Sequence, residues 1–141
     1  YARGFPAVTI LRFGIIYGPR RNNWSAVESL ASSVKKQDEV VVGSLRTGRR
    51  FVHVSDIAKG IVKSIGRSGF DIINLTGDQI VTLGEVIEAS EKIFEKKIKI
   101  SESDSDSANV RNPSNARAKK LLGWRPEIAL EAGLKTLLPF I

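Results

Sequence analysis

The sequence predicts an α/β protein built on parallel strands, and three observations predict it. The run AVTILRF at 7–13 is nearly all apolar and rich in branched side chains, as in strands covered on both faces. FDIINLTG at 70–77 has the same character. Between and after these runs lie segments with helical spacing of apolar residues, so strands alternate with helices along the chain.

Taken in order, the strand at 7–13 leads into GIIYGPRRNN, where Gly14, Gly18 and Pro19 punctuate a turn. A helix is expected over 24–35, with Val27, Leu30, Ala31 and Val34 on one side. EVVVG then reads as a short buried strand closed by Gly43. In TGRRFVHVSDIAKG, at 47–60, Phe51 and His53 alternate with Val52 and Val54, placing the two pairs on opposite faces of a strand. Ser55 or Asp56 is positioned to cap the following helix, whose Ile57, Ile61, Val62 and Ile65 share a face. Thr82 and Glu85 have the spacing of a capping box, and Leu83, Val86, Ile87, Ser90, Ile93 and Phe94 form the stripe of the helix it opens. KIKIS reads as a strand with one wet face. Asn112 with Pro113 is expected to start a helix that Gly123 stops, and Leu130, Leu134, Leu137 and Leu138 mark a last helix.

A chain of 141 residues fits one domain with a real core. No apolar run approaches the roughly 20 residues of a membrane-spanning helix. The absence of cysteine excludes disulfides, thiolate catalysis and cysteine zinc sites, and permits a cytoplasmic setting. Because the chain holds no methionine and begins with tyrosine, it reads as a portion of a longer polypeptide. Its 22 basic and 15 acidic residues give a net charge of +7, and the basic ones cluster in doublets such as Arg20-Arg21, Arg49-Arg50 and Lys119-Lys120. That balance favours anionic partners, while the dispersal of the doublets is equally that of a solvated surface.

Three patterns, in order, resemble the C-terminal half of the extended short-chain dehydrogenase/reductase family, the NAD-dependent nucleotide-sugar epimerases and dehydratases. VTILRFGIIYGPR is similar to that family's LRxxNVYGPR strand and loop, RRFVHVSDIAKGI to its RDFVHVDDVAxAI segment, and NPSNARAKKLLGWRPEIALEAGLKTLL to its C-terminal DxSKAxxxLGWxPxxxLEEGLxxT segment. The resemblance implies the C-terminal part of a Rossmann-like parallel sheet plus a small mixed α/β substrate-binding domain, interleaved over 1–141. The dinucleotide-binding half, with its glycine-rich loop and Tyr-x-x-x-Lys pair, is expected to be absent. Tyr1, followed at the fourth position by Phe5, is not that tyrosine, and no catalytic residue is assigned.

The resemblance further implies NAD as cofactor, with Phe13, Gly14 and Ile15 near the nicotinamide, and a nucleotide-sugar substrate lined by Tyr17, Arg49 and Asn22 or Asn23. The family arginine two positions before VHV reaches the substrate diphosphate, and Arg49 holds that position. A guanidinium suits the task because its planar fork donates paired hydrogen bonds to phosphate oxygens. Arg50, by strand alternation, is expected outside and solvated. Two positions depart from the pattern: Ile15 stands where the family has a substrate-contacting asparagine, and SESDSDS where a second diphosphate arginine is expected. Epimerisation by the full-length parent is the first expectation, dehydration or reduction the next, and the chain alone is expected to be inactive.

Blander roles compete at several positions. His53 reads as a packed, hydrogen-bonded strand residue, Asp56 as a helix cap, Trp24 as a packing or ligand-covering residue, and Trp124 as a core anchor. The acidic run at 101–107 begins like a calcium loop, but Ala108, Asn109 and Asn115 stand in ligand, glycine and glutamate positions, so no metal site is expected. The alternative function is a non-catalytic superfamily member that binds RNA or another anionic ligand. The apolar strands, lacking neighbours, also lead to an expectation of homo-oligomers.

Overall fold

In a computed structural model the protein is described over residues 4–22 and 24–141. Its strands are β1 (Ala7–Phe13), β2 (Ile15–Tyr17), β3 (Glu39–Val42), β4 (Gly48–Arg49), β5 (Phe51–His53), β6 (Gly69–Leu75), β7 (Val81–Thr82) and β8 (Lys99–Glu102). Its helices are α1 (Ala26–Lys36), α2 (Val54–Ser64), α3 (Leu83–Phe94), α4 (Ala116–Leu122) and α5 (Leu130–Lys135). The strands pair as β1 with β6, β2 with β5 and β3 with β8, all parallel, and β4 with β7 antiparallel. The expected α/β architecture with parallel strands is therefore present.

Two apolar cores lie on either side of the β2–β5 pair. Tyr17 and Phe51 face a core shared with α1, α3, α5 and β3, including Val27, Val34, Val86, Ile87 and Leu137. Val52, with Ile16 packed beside it, faces a second core of Ile57, Ile73, Leu75, Ala118 and Trp124. The alternation expected at 51–53 sorts those side chains between the two cores.

Helix starts follow from local chemistry. Ser25 and Glu28 close a reciprocal capping box on α1, and Thr82 and Glu85 do the same on α3. Consequently α1 begins at Ala26 rather than at Trp24. Gly123 ends α4 at φ 55°, a left-handed conformation that favours glycine.

Three local expectations are corrected. His53, rather than Ser55 or Asp56, caps α2: its Nδ1 accepts the Ser55 N–H at 3.3 Å. The strand ends there, Val54 is already helical and exposed, and Asp56 turns into the interior. Second, α4 starts at Ala116, because Asn112 is drawn away to accept the Nε–H of Arg50. Third, Arg50 is not solvated: its Nη1 also donates to the carbonyls of Gly77 (2.9 Å) and Asp78 (2.8 Å).

Trp124 is 2% exposed, and its indole N–H donates to the Asp56 carbonyl at 2.8 Å, so it anchors α4's end beneath α2. The acidic run is exposed, with Glu102 accepting the Leu45 N–H at 2.7 Å. Among the described residues no group of acidic or histidine side chains could hold a metal ion, and no helix is long and apolar enough to cross a membrane.

Candidate functional site

Gly14 is where the chain leaves its pairing with β6 and takes up its pairing with β5, and its N–H donates to the Leu75 carbonyl at 2.9 Å. A β-carbon there would lie 2.5 Å from Thr76 Oγ1 and 2.6 Å from the Arg50 carbonyl oxygen, so only glycine permits the approach. Thr76 Oγ1 donates to that same carbonyl at 3.2 Å. This crossing fixes the carboxyl ends of β1 and β6, the side of a parallel sheet where ligands bind in open α/β proteins. There Phe13 and Ile15 stand 46% and 37% exposed and form an apolar lip.

The GPRR loop beyond β2 is pinned by Glu28, which is 1% exposed. Its carboxylate accepts from the Gly18 N–H (3.1 Å), Arg20 Nε (2.9 Å), the Ser25 N–H (2.9 Å) and the Ser25 hydroxyl. Arg20 is thereby committed to an ion pair with Glu28, whereas Asn22 is exposed. Asn23 lies outside the described residues.

Arg49 sits on β4, half-buried, opposite Val81 of β7. Its Nη1 donates to the carbonyls of Gly48 (2.8 Å) and Asn109, and it makes no ion pair with any described carboxylate. Three of its five N–H donors, on Nε and Nη2, are therefore available to an anion. The two neighbouring arginines thus differ in kind. Arg50 ties the 77–78 and 112 segments together, and Arg49 keeps a fork free.

Tyr17 is 2% exposed and meets the His53 ring edge-on, with centroids 5.4 Å apart. Burial, aided by the negative charges of Asp56 and Glu28, pushes its pKa far above the usual phenol value, so it remains a neutral phenol. His53 is held below the ordinary imidazole value chiefly by burial. Its Nδ1 accepts the cap hydrogen bond, so its Nε2 carries the proton and faces Thr136 Oγ1 at 3.1 Å.

Tyr17 also lines a cleft of about 310 Å³ with Phe51, Gln79, Val81 and residues 126–130. The wall of that cleft is held by Asp56, which has zero exposure and whose Oδ2 accepts the N–H groups of Glu127 and Ile128, both at 3.0 Å. Of the expected site residues that are described, only Tyr17 lines this cleft. Phe13, Gly14 and Ile15 gather at the strand ends, and Arg49 stands apart on the β4–β7 pair. Sequence reasoning assigned Asp56 to a cap and missed its hold on the cleft wall. No local signal marked it, because the N–H groups it accepts lie 71 and 72 positions downstream.

Parallel pairing of β1 with β6, β2 with β5 and β3 with β8, with helices between the strands, places the chain in the α/β class. Residues 1–75 match the model of the NAD dependent epimerase/dehydratase family. The chain belongs to that family. It is 31% identical over 132 residues to UDP-glucuronate 4-epimerase of Thermodesulfobacterium geofontis, a match covering 91% of this chain and 41% of that protein. It is 29% identical over 132 residues to UDP-glucuronic acid decarboxylase 4 of Arabidopsis thaliana, covering 90% of this chain and 30% of that one. The structure of UDP-glucuronic acid 4-epimerase from Bacillus cereus, in complex with UDP-glucuronic acid and NAD, superposes with a TM-score of 0.81 at 22% identity. That superposition covers 94% of this chain and 44% of the other. The chain therefore spans less than half the length of these relatives.

Proposed function

We propose that this chain forms the substrate-side portion of an NAD-dependent nucleotide-sugar epimerase or dehydratase, with Arg49 as the diphosphate contact. The observation that carries the reading is the half-buried Arg49 guanidinium, unpaired by any described carboxylate and with its Nε and Nη2 donors free. Tyr17, as a neutral phenol, donates or accepts a hydrogen bond rather than removing a proton.

For the cofactor, the exposed apolar lip of Phe13 and Ile15 fits the flat nicotinamide end. NAD, when bound, supplies a reversible hydride acceptor for transient oxidation of the sugar. The 141 residues contain no G-x-G run and no tyrosine followed four positions later by lysine. The dinucleotide phosphates and the proton-transferring groups are therefore assigned to residues outside these 141, and no turnover is expected of this chain alone. The relatives' names support a UDP-sugar substrate, with epimerisation the first reading and decarboxylation the second.

Calorimetric titration with UDP-glucose and with UDP, at two salt concentrations, tests the reading. Binding that Arg49→Ala abolishes and that salt weakens only mildly supports it. Heat that Arg49→Ala leaves unchanged overturns it.

A further inference from the structure

Tyr17 carries a hydroxyl that the folded chain leaves without a partner. The residue is 2% exposed, and a β-carbon on Gly133 would lie 2.1 Å from its Oη, so the hydroxyl end rests against α5. Among the described residues Oη makes no hydrogen bond, yet the only fully buried side-chain atom without a partner is Asp56 Oδ1. The Tyr17 Oη is therefore open to solvent, and the opening available to it is the cleft of about 310 Å³ that the residue lines. Buried tyrosines ordinarily set their hydroxyl on a partner, and one left unpaired at the floor of a cleft marks a position for a ligand atom.

The rest of the lining sets the class of that ligand. Phe51, Val81, Pro126, Ile128 and Leu130 supply apolar wall. Among the described residues no lysine or arginine lines the cleft, and its two acidic residues are already paired, Asp78 with Lys119 at 2.7 Å and Glu127 with Lys59 at 2.6 Å. Behind the phenol, the negative charges of Asp56 and Glu28 oppose an anion further. Both walls are fastened from within the chain. Asp56 Oδ2 holds the amides of Glu127 and Ile128, and Arg50 Nη1 holds the carbonyls of Gly77 and Asp78. A cleft held in this way needs little ordering to bind, and its volume lies at the small end of the roughly 300–1,000 Å³ range of ligand pockets.

We propose that this cleft is a second ligand site, distinct from the Arg49 fork, for a small neutral molecule of one or two apolar rings bearing a carbonyl oxygen that accepts a hydrogen bond from the Tyr17 hydroxyl. The two sites differ in chemistry. Arg49 offers a charged fork to an anion, whereas Tyr17 offers a single neutral donor amid apolar surface.

Acetophenone and benzoate, which match in shape and differ in charge, are the probes. Added to nitrogen-15-labelled chain, acetophenone is expected to shift the amides of residues 77–81 and 127–130 and to saturate at millimolar concentration, with benzoate at least about tenfold weaker. Tyr17→Phe removes only the unpaired hydroxyl and should weaken acetophenone about threefold to tenfold, the worth of one hydrogen bond. Ala129→Phe, at an exposed position in the lining, should fill the cleft and abolish the shifts, whereas Arg49→Ala should leave them unchanged. Unfolding curves that match the unmodified chain establish that the variants fold. The absence of a saturable shift at those amides overturns the proposal and leaves the hydroxyl to water. So does binding that Tyr17→Phe leaves unchanged, or benzoate bound as tightly as acetophenone. Shifts that Arg49→Ala removes overturn it as well, because they would merge the two sites.

Discussion

Removing the Asp56 carboxylate should be among the most costly single changes in this chain. Asp56 has zero exposure, and its Oδ2 accepts two backbone N–H groups at 3.0 Å, from Glu127 and Ile128. Hydrogen bonds to a charged acceptor contribute about 1.5–3 kcal/mol each, so the pair contributes about 3–6 kcal/mol. Against this stands the cost of burying the carboxylate, whose Oδ1 has no partner, which returns about 1–3 kcal/mol when the group is deleted. Asp56→Ala should therefore lose about 2–3 kcal/mol, a large share of the roughly 5–15 kcal/mol typical of a domain. Asp56→Asn keeps one acceptor oxygen and should lose about half as much. Urea unfolding followed by tryptophan fluorescence measures both, because Trp124 donates to the Asp56 carbonyl and reports the same junction. With a slope of about 1–2 kcal/mol per molar for a chain of this size, the Ala variant should shift the midpoint down by about 1–3 M. An unshifted midpoint, or an Asn variant as damaged as the Ala variant, would refute the reasoning.

Other outcomes follow from the same geometry. His53 is depressed below the ordinary imidazole value of about 6.5, chiefly by burial and against the pull of Asp56 and Glu28. A folded value below the unfolded one means that His53 contributes its full share of stability above about pH 6.5 and loses it as pH falls through the folded value. Unfolding free energy should drop with acid in that window, and His53→Asn, which can still accept at the cap, should flatten the drop. Arg50→Ala should destabilise by about 1–3 kcal/mol through its lost hold on Gly77, Asp78 and Asn112, whereas Arg49→Ala should change stability less and UDP binding more. Parallel urea and calorimetric series separate the two. Gly133→Ala would put a β-carbon 2.1 Å from Tyr17 Oη, and overpacking of this kind costs about 1–3 kcal/mol, readable as a lower thermal midpoint.

Much of the fold is legible because its signals are local. Thr82 with Glu85, Gly123, and the apolar runs of β1 and β6 each specify their element within a few residues. The Ser25 to Glu28 box has equally local spacing, and it sets the start of α1. What the local pattern does not carry is set by distant partners. β4 and β7 have two residues each, too few for any periodicity, and form only because Arg49 and Gly48 meet Val81 and Thr82. Asn112 looks like a helix start but is claimed by Arg50, which lies 62 positions away. Strand alternation separates Arg49 from Arg50 but cannot say that the outward one finds three acceptors. At the site, the glycine at 14 and the arginine at 49 are readable from motif resemblance. The buried hold of Asp56 on residues 127 and 128 depends on a turn 71 positions downstream.

The most direct test of the central claim is to add UDP to uniformly nitrogen-15-labelled chain and follow backbone amides and arginine Nε resonances. If Arg49 is the diphosphate contact, the Arg49 Nε signal and the amides of Gly48, Arg49 and Asn109 move together on titration while Arg50 Nε stays in place. Shifts confined to residues 126–130 around the Tyr17 cleft, or no shift at Arg49 Nε at saturating UDP, would contradict it.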